Sequence, residues 1–64
     1  MKILYDKETD SLSIALRKAP YSESEEVERN IVFDFDKDGK VMAIDIEHAS
    51  EIVDVSNIPV LGQS

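Results

Sequence analysis

The chain has 64 residues, a formal net charge of −7, no cysteine and a single histidine. This length accommodates one small domain, and without cysteines neither a disulfide nor an ordinary structural zinc site can stabilise it. The acidic balance argues against nucleic acids and anionic membranes as partners, because both are bound through clustered lysine and arginine. It suits solubility, or the electrostatic attraction of a basic protein partner.

A domain of this size has little core to stabilise it, because it buries only about 60% of the surface that its unfolded chain exposes. With disulfides and zinc set aside, self-association is the remaining ordinary source of stability, and we expect a homo-oligomer, with a dimer favoured. No long apolar run is present, so the sequence predicts neither a signal peptide nor a spanning helix. A cytoplasmic protein is the expectation.

The first segments in chain order predict a β-hairpin. In residues 2 to 6, Ile3 and Tyr5 fall on one face of a strand and Leu4 on the other. From 11 to 17 the apolar residues alternate with polar or small ones, and the polar run DKETD lies between the two segments. A period of two places alternate side chains on one face of a strand, whereas a helix would scatter them around its axis.

The acidic segment from Lys18 to Glu26, KAPYSESEE, predicts a loop that leaves the sheet and comes back. Ser24 to Glu28 could add a short edge strand with Val27 directed inward, flanked by charges that discourage aggregation. The carboxylates of Glu23, Glu25 and Glu26 have two main interpretations, a solvated loop or a docking strip for a basic partner. Acid–base catalysis by these carboxylates is a third interpretation, and it is disfavoured because a loop this polar offers no pocket that excludes water.

The strongest local signal runs from Ile31 to Glu47, where two alternating segments flank the turn sequence DKDG. The two hairpins together present one large apolar face, made of Ile3, Tyr5, Leu12, Ile14, Leu16, Phe33, Phe35, Ile44 and Ile46. The opposite face is smaller and mixed, with Leu4, Ala15, Val32, Val41 and Ala43 as its apolar members. A contiguous exposed patch of that kind marks an interface.

The same central segment resembles half of a calcium-binding loop. Asp34, Asp36 and Asp38 precede Gly39 at the spacing of such a loop, and Asp45 stands at the twelfth position. The flanks alternate with period two instead of forming helices, so a hairpin turn is the preferred interpretation. A weak surface site for a divalent cation at Asp34, Asp36 and Asp38 remains as the alternative.

The period changes after Glu47. The spacing of apolar residues predicts a short helix over about 48–55 that covers the large apolar face, followed by an apolar tail over 56–64 that packs on the sheet or on another subunit. His48 lies where strand gives way to helix. It is interpreted as a helix cap or a surface residue, with a general base near Ser50 or Tyr5 as the alternative.

The predicted fold is therefore a single α+β domain over residues 1–64. Its antiparallel sheet covers residues 2–47, has four or five strands in two successive hairpins, and packs one face against one short C-terminal helix.

The order of these signals resembles a known family. The opening KILYDKETDSLSIAL, the acidic middle, the segment IVFDFDKDGKVMAIDI and the pair Ala49-Ser50 are similar to the small bacterial and archaeal proteins grouped as domain of unknown function 2283. The resemblance implies a small β-rich domain closed by one helix, with no activity, cofactor or catalytic residue to carry over. Some members are thought to sit beside small toxin-like proteins, which implies an antitoxin or partner-binding role.

The function expected from these signals is a non-enzymatic module for protein interaction or self-association, with no cofactor. Its interaction residues are predicted to be Leu4, Val32, Val41, Ala43, Glu23, Glu25 and Glu26. Two alternatives stay open: a weak cation-binding or ligand-binding protein that uses Asp34, Asp36 and Asp38, and a small hydrolase built on His48.

Overall fold

The computed structural model describes residues 1–58, and the predicted antiparallel sheet is confirmed with five strands. The strands are β1 (Lys2–Asp6), β2 (Ser11–Ala15), β3 (Tyr21–Glu28), β4 (Ile31–Asp36) and β5 (Val41–Glu47). They lie in the spatial order β1-β2-β5-β4-β3, so β5 is the central strand and β1 and β3 are the edges. The chain thus crosses from β2 to the far edge and returns to pair β5 with β2.

The strand register divides the sheet into two faces as predicted, with the exception of Val41. Ile14 of β2 lies opposite both Ile3 and Ile44, and Ile44 lies opposite Phe33. Since directly opposed residues share a face, these side chains form one apolar row. The neighbouring row contains Tyr5, Leu12, Ile46 and Ile31. We call the side of the sheet that carries these two rows the core face.

The predicted helix over 48–55 is wrong. Only a single 3₁₀ turn, Ala49–Glu51, forms after β5, and the chain continues without regular structure to Ile58. Residues 49–58, which we call the covering segment, nevertheless lie where the helix was expected. Val53, Val55 and Ile58 pack against a buried cluster composed of Tyr5, Leu12, Ile46 and Ala49.

Contacts with the first hairpin explain why the helix does not form. The backbone carbonyl of Asp10 accepts a hydrogen bond from the Ala49 N–H at 2.9 Å, and His48 adopts a left-handed conformation with φ of 52°. These features fix the direction in which the chain leaves β5. The β-branched residues that follow have low helix propensity, and a helix this short is not stable by itself.

The loop predicted over Lys18 to Glu26 is wrong from Tyr21 on, where the chain forms the exposed edge strand β3, and the inward orientation predicted for Val27 is also wrong. The register between β3 and β4 shifts between Glu26 and Glu28, so Val27 has no opposed residue and its side chain is 47% exposed. A bulge of this kind releases a strand residue from the regular alternation of faces. The predicted packing of the tail is described only for Ile58, because residues 59–64 lie outside the described part.

Candidate functional site

Asp10 joins the first hairpin to the covering segment. Its carboxylate accepts hydrogen bonds from the Tyr5 hydroxyl at 2.5 Å, from the Ser50 N–H at 3.0 Å and from the Ser50 hydroxyl at 2.7 Å. The Tyr5 and Ser50 hydrogen bonds hold the pKa of Asp10 below its usual value, and the bond to Asp10 raises the pKa of Tyr5. Hydrogen bonding of this kind favours the charged carboxylate.

Asp36 plays the corresponding part in the central hairpin. Its carboxylate accepts the backbone N–H groups of Lys40 at 3.0 Å and Asp38 at 2.9 Å, and it pairs with the Arg17 guanidinium at 2.8 Å. The Lys40 N–H, followed by Arg17, lowers the pKa of Asp36. The side chain is only 6% exposed, so Asp36 is a structural part of the turn.

The three candidate metal ligands are not assembled into a site. Asp36 is occupied by the turn and by Arg17, Asp34 accepts the Ser24 hydroxyl at 2.6 Å, and Asp38 lies on the exposed tip of the hairpin. Across residues 1–58, no group of three or more acidic or histidine side chains has the arrangement needed to hold a metal ion. The aspartate spacing is therefore explained by the hairpin.

His48 lies beside a shallow depression of about 450 Å³ whose lining includes Glu28, Arg29 and Ile52. The imidazole Nδ1 is 3.8 Å from the Glu51 carboxylate, and both side chains are exposed. The two hydroxyl groups considered as its partners, those of Tyr5 and Ser50, both donate to Asp10. The described contacts therefore do not assemble the nucleophile and base that a hydrolase on His48 requires.

The acidic residues of β3 are divided between the two sides of the sheet. Glu23 and Glu25 lie opposite Phe35 and Phe33, and are thus on the core face, whereas Glu26 lies opposite Val32 on the other side. A second shallow depression, of about 380 Å³, lies beside Phe35 and is flanked by Glu23 and Glu25. All residues of β3 are exposed.

The other side of the sheet, which we call the second face, carries most of the predicted apolar interaction residues. Leu4 lies opposite Ser13, Ser13 opposite Asp45, and Asp45 opposite Val32. The adjacent row contains Ala15, Ala43, Asp34 and Ser24. Among residues 1–58 no element lies over this face, because the covering segment packs on the core face.

Val41 does not belong with Ala43 as predicted. The register of β4 and β5 shifts between Asp34 and Phe35, so Ala43 lies opposite Asp34 while Val41 lies opposite Phe35. Phe35 is on the core face by alternation with Asp34, and its opposed residue shares that side. One irregularity in the ladder thus moves Val41 away from the second face.

Two carboxylates meet near the middle of the second face. Asp45 belongs to the central strand β5 and lies directly opposite Val32 of the neighbouring strand β4. Asp34 is two residues from Val32 along β4 and shares its face, so it is the diagonal neighbour of Asp45. Burial raises the pKa of Asp45, the Asp34 carboxylate raises it further, and the Ser13 hydroxyl partly opposes this effect. The second face therefore combines half-buried apolar side chains with two neighbouring carboxylates.

Asp10 lies within the opening segment KILYDKETDSLSIAL, and Asp36 lies within the segment IVFDFDKDGKVMAIDI. A family model matches residues 2–50 of the chain. The chain belongs to the family described as protein of unknown function (DUF2283). The DUF2283 match contains all five strands and ends at Ser50, the residue that closes the hydrogen bonds around Asp10.

DUF2283 membership assigns no chemistry to the chain. Comparisons with curated proteins and with solved structures found no match. Within residues 1–58, no helix has the length and apolar character needed to cross a membrane.

Sequence reasoning missed three features of this arrangement. It recognised Asp10 only as part of a motif, did not pair Arg17 with Asp36, and did not bring Asp34 close to Asp45. The alternation placed Asp34 and Asp45 on the same face, and that was the available signal. The register that makes them neighbours depends on the turn and on the irregularity in β5.

Proposed function

We propose that the chain is a non-enzymatic module that self-associates, with two copies pairing through their second faces. The observation that carries this proposal is the second face itself, which no described element covers although Leu4 and Val32 lie on it. A solvated face of an antiparallel sheet usually carries polar residues throughout. Here half-buried Leu4, Ala15, Val32 and Ala43 interrupt the polar positions.

The dimensions of the molecule support a second copy as the occupant. The structure measures 33 × 27 × 16 Å, so its broad side spans 33 by 27 Å. A stable interface buries about 800 Å² on each partner, and a side of this extent is large enough to provide it. Two sheets facing each other would also form the second packed layer that small domains need.

The thin core gives association an energetic reason. The buried apolar residues in the described part are Tyr5, Leu12, Ile46 and Ala49. Leu4 and Val32 lose water only if something covers them, and each fully buried side chain of this type contributes about 1.5–3 kcal/mol. A paired form would therefore be more stable than a single copy.

Light scattering after size-exclusion chromatography, over a wide range of protein concentration, tests the proposal. We expect a dimer that dissociates on dilution. Ala43→Arg places a long charged side chain on the central strand of the second face and should give a monomer. Thr9→Arg introduces the same side chain in the exposed turn between β1 and β2, and should leave the dimer intact.

Two results would count against the proposal: a monomer at every concentration, or a dimer that survives Ala43→Arg. Leu4→Arg, on an edge strand, provides a second disruption of the same face in case Ala43→Arg prevents folding. Circular dichroism of each variant shows whether the sheet is retained.

A second candidate function is the binding of a basic protein partner along β3. β3 is an exposed edge strand, and Glu23 and Glu25 stand beside Phe35 at the shallow depression described above. An edge strand can accept another strand, and carboxylates next to an aromatic ring suit lysine or arginine side chains. An antitoxin-like role would be one instance of this function.

Charge reversal distinguishes this candidate from self-association. The double variant Glu23→Lys and Glu25→Lys should abolish binding of a lysine-rich extended peptide, measured by calorimetry at low salt, and leave the dimer intact. If the wild-type chain shows no heat of binding with such a peptide, the candidate is wrong.

A further inference from the structure

We infer that pairing through the second face takes up protons, because it encloses the Asp34 and Asp45 carboxylates between two sheets. This inference rests on the proposed function and concerns the regulation of the same surface. Its consequence is an association that strengthens as the pH falls.

The register places the carboxylate pair where a second copy would cover it most completely. Asp45 lies on the central strand, with two strands on either side, and Asp34 lies on the adjacent strand. Val32 lies opposite Asp45, and Ala43 lies opposite Asp34, so each carboxylate has an apolar neighbour across the ladder. Both aspartates are already half-buried in a single copy.

The surroundings of the pair supply few positive charges. From the first two strands, Ser13 is adjacent and Lys2 shares a row with Asp34 but lies three strands away. Arg17, which follows β2, is paired with Asp36 at the end of β4. The remaining charged residues on this face are acidic: Asp6 of β1, Glu26 of β3 and Glu47 of β5.

The hydrogen bonds on this face do not neutralise the pair. Ser24 of β3 donates to Asp34 at 2.6 Å, and the Ser13 hydroxyl favours the charged form of Asp45. Neither group carries a charge. The ion pairs found among residues 1–58 are Arg17 with Asp36 and His48 with Glu51, and neither includes Asp34 or Asp45.

The direction of the pH dependence of pairing follows from the surroundings of Asp45 in a single copy. Its pKa is already raised by burial and by Asp34. A second sheet removes more water and brings two further carboxylates close, and both changes disfavour the charged forms. The dimer then binds more protons than two separate copies, so protons promote association.

The test measures the dimer dissociation constant by sedimentation equilibrium between about pH 5 and about pH 8, where ordinary surface carboxylates stay ionised. For each proton taken up on pairing, the dissociation constant of the wild-type protein should decrease about tenfold for every unit by which the pH is lowered. Asp45→Asn should associate more tightly than the wild type near neutral pH, and should lose most of this pH dependence.

Two control variants separate the pair from other sources of pH dependence. Glu8→Gln removes one carboxylate from the exposed turn between β1 and β2, and His48→Gln removes the single histidine of the chain. Both should keep the wild-type slope. A slope that disappears in His48→Gln, or persists in Asp45→Asn, overturns the inference.

The outcomes also separate this inference from the proposed function. A wild-type dimer whose dissociation constant does not change with pH leaves self-association intact and removes the proton linkage. A chain that stays monomeric as wild type and as Asp45→Asn over the whole pH range removes both.

Discussion

Asp10 and Asp36 show how a single carboxylate can organise a loop in a small sheet protein. Asp10 receives donors from both the first hairpin and the covering segment, and Asp36 receives them from its own turn and from Arg17. Both side chains satisfy several N–H or O–H groups at once. They account for acidic positions that otherwise suggest metal ligands or catalysis.

Asp36→Asn tests this role and its dependence on pH. The pKa of Asp36 is lowered in the folded state, so its stabilisation is present above the ordinary carboxyl pKa of about 3.9 and is lost as the pH falls. The variant should unfold at lower urea concentration than the wild type at neutral pH, with this difference shrinking in acid. Asp38→Asn, in the exposed part of the same turn, should have little effect at either pH.

The pKa shift of Asp45 is opposite in sign to that of Asp36. Its pKa is raised in the folded state, so its favourable contribution is present below the unfolded pKa and is lost as the pH rises through the folded value. Asp45→Asn should therefore raise the urea midpoint at neutral pH, where Asp36→Asn lowers it. Equal effects of the two substitutions would contradict the assignment of opposite pKa shifts.

At the scale of elements, the alternation of apolar and polar residues predicted the strands well. Successive side chains of a strand point to opposite faces, so the residue type shows which face is covered. The first and central hairpins were found in this way, and so were the apolar rows of the core face. The helix could not be judged by spacing alone. Its failure depends on the hydrogen bond from Ala49 to Asp10, which joins residues far apart in the sequence. Val27 and Val41 were misplaced for a similar reason, since no local signal marks a register shift.

The central hairpin depends on the conformation of one glycine. Gly39 has φ of 80°, and a Cβ added there would meet nothing within 4 Å. Gly39→Ala should therefore cost only the backbone strain of a left-handed residue, about 1 kcal/mol in the free energy of unfolding. Gly39→Asn should cost less, because asparagine tolerates this conformation. Chemical denaturation measures both, and a loss well above 3 kcal/mol for Gly39→Ala would indicate a packing role.

Apolar residues of the core cluster and of the edge strand β3 contribute different amounts to stability. Leu12 is buried in the core cluster, whereas Val27 is exposed on the edge strand. Leu12→Ala should reduce the free energy of unfolding by about 2–5 kcal/mol, and Val27→Ala by no more than about 0.5 kcal/mol. A large loss for Val27→Ala would show that β3 packs against something else in solution.

At the scale of the whole molecule, composition predicted a single thin core, and the sheet with one covered face agrees with it. The sequence did not reveal the strand order, because nothing local pairs β2 with β5. The candidate surface was only partly predictable. Leu4, Val32 and Ala43 were expected on the second face, and alternation placed Asp34 and Asp45 there too. That these two carboxylates are neighbours becomes apparent only from the register.

Self-association predicts a melting temperature that depends on protein concentration. Because dimer formation stabilises the folded state by mass action, the melting temperature of the wild type should rise with concentration. Ala43→Arg should remove this dependence, and Thr9→Arg should preserve it. A wild-type melting temperature that is constant over a hundredfold dilution from about 1 mM would contradict a weak dimer.

The pairing of β2 with β5 also determines how the chain reaches its native state. β1 with β2, and β3 with β4 and β5, are neighbours in sequence, so each group can form through local contacts. The β2–β5 ladder then joins the two units by pairing strands that β3, β4 and their connections separate in sequence, and non-local pairings of this kind are slow. Docking of the two units should be the slow step, and lengthening the connection between β2 and β3 by a few residues should change its rate only slightly, because the entropy of loop closure grows slowly with length.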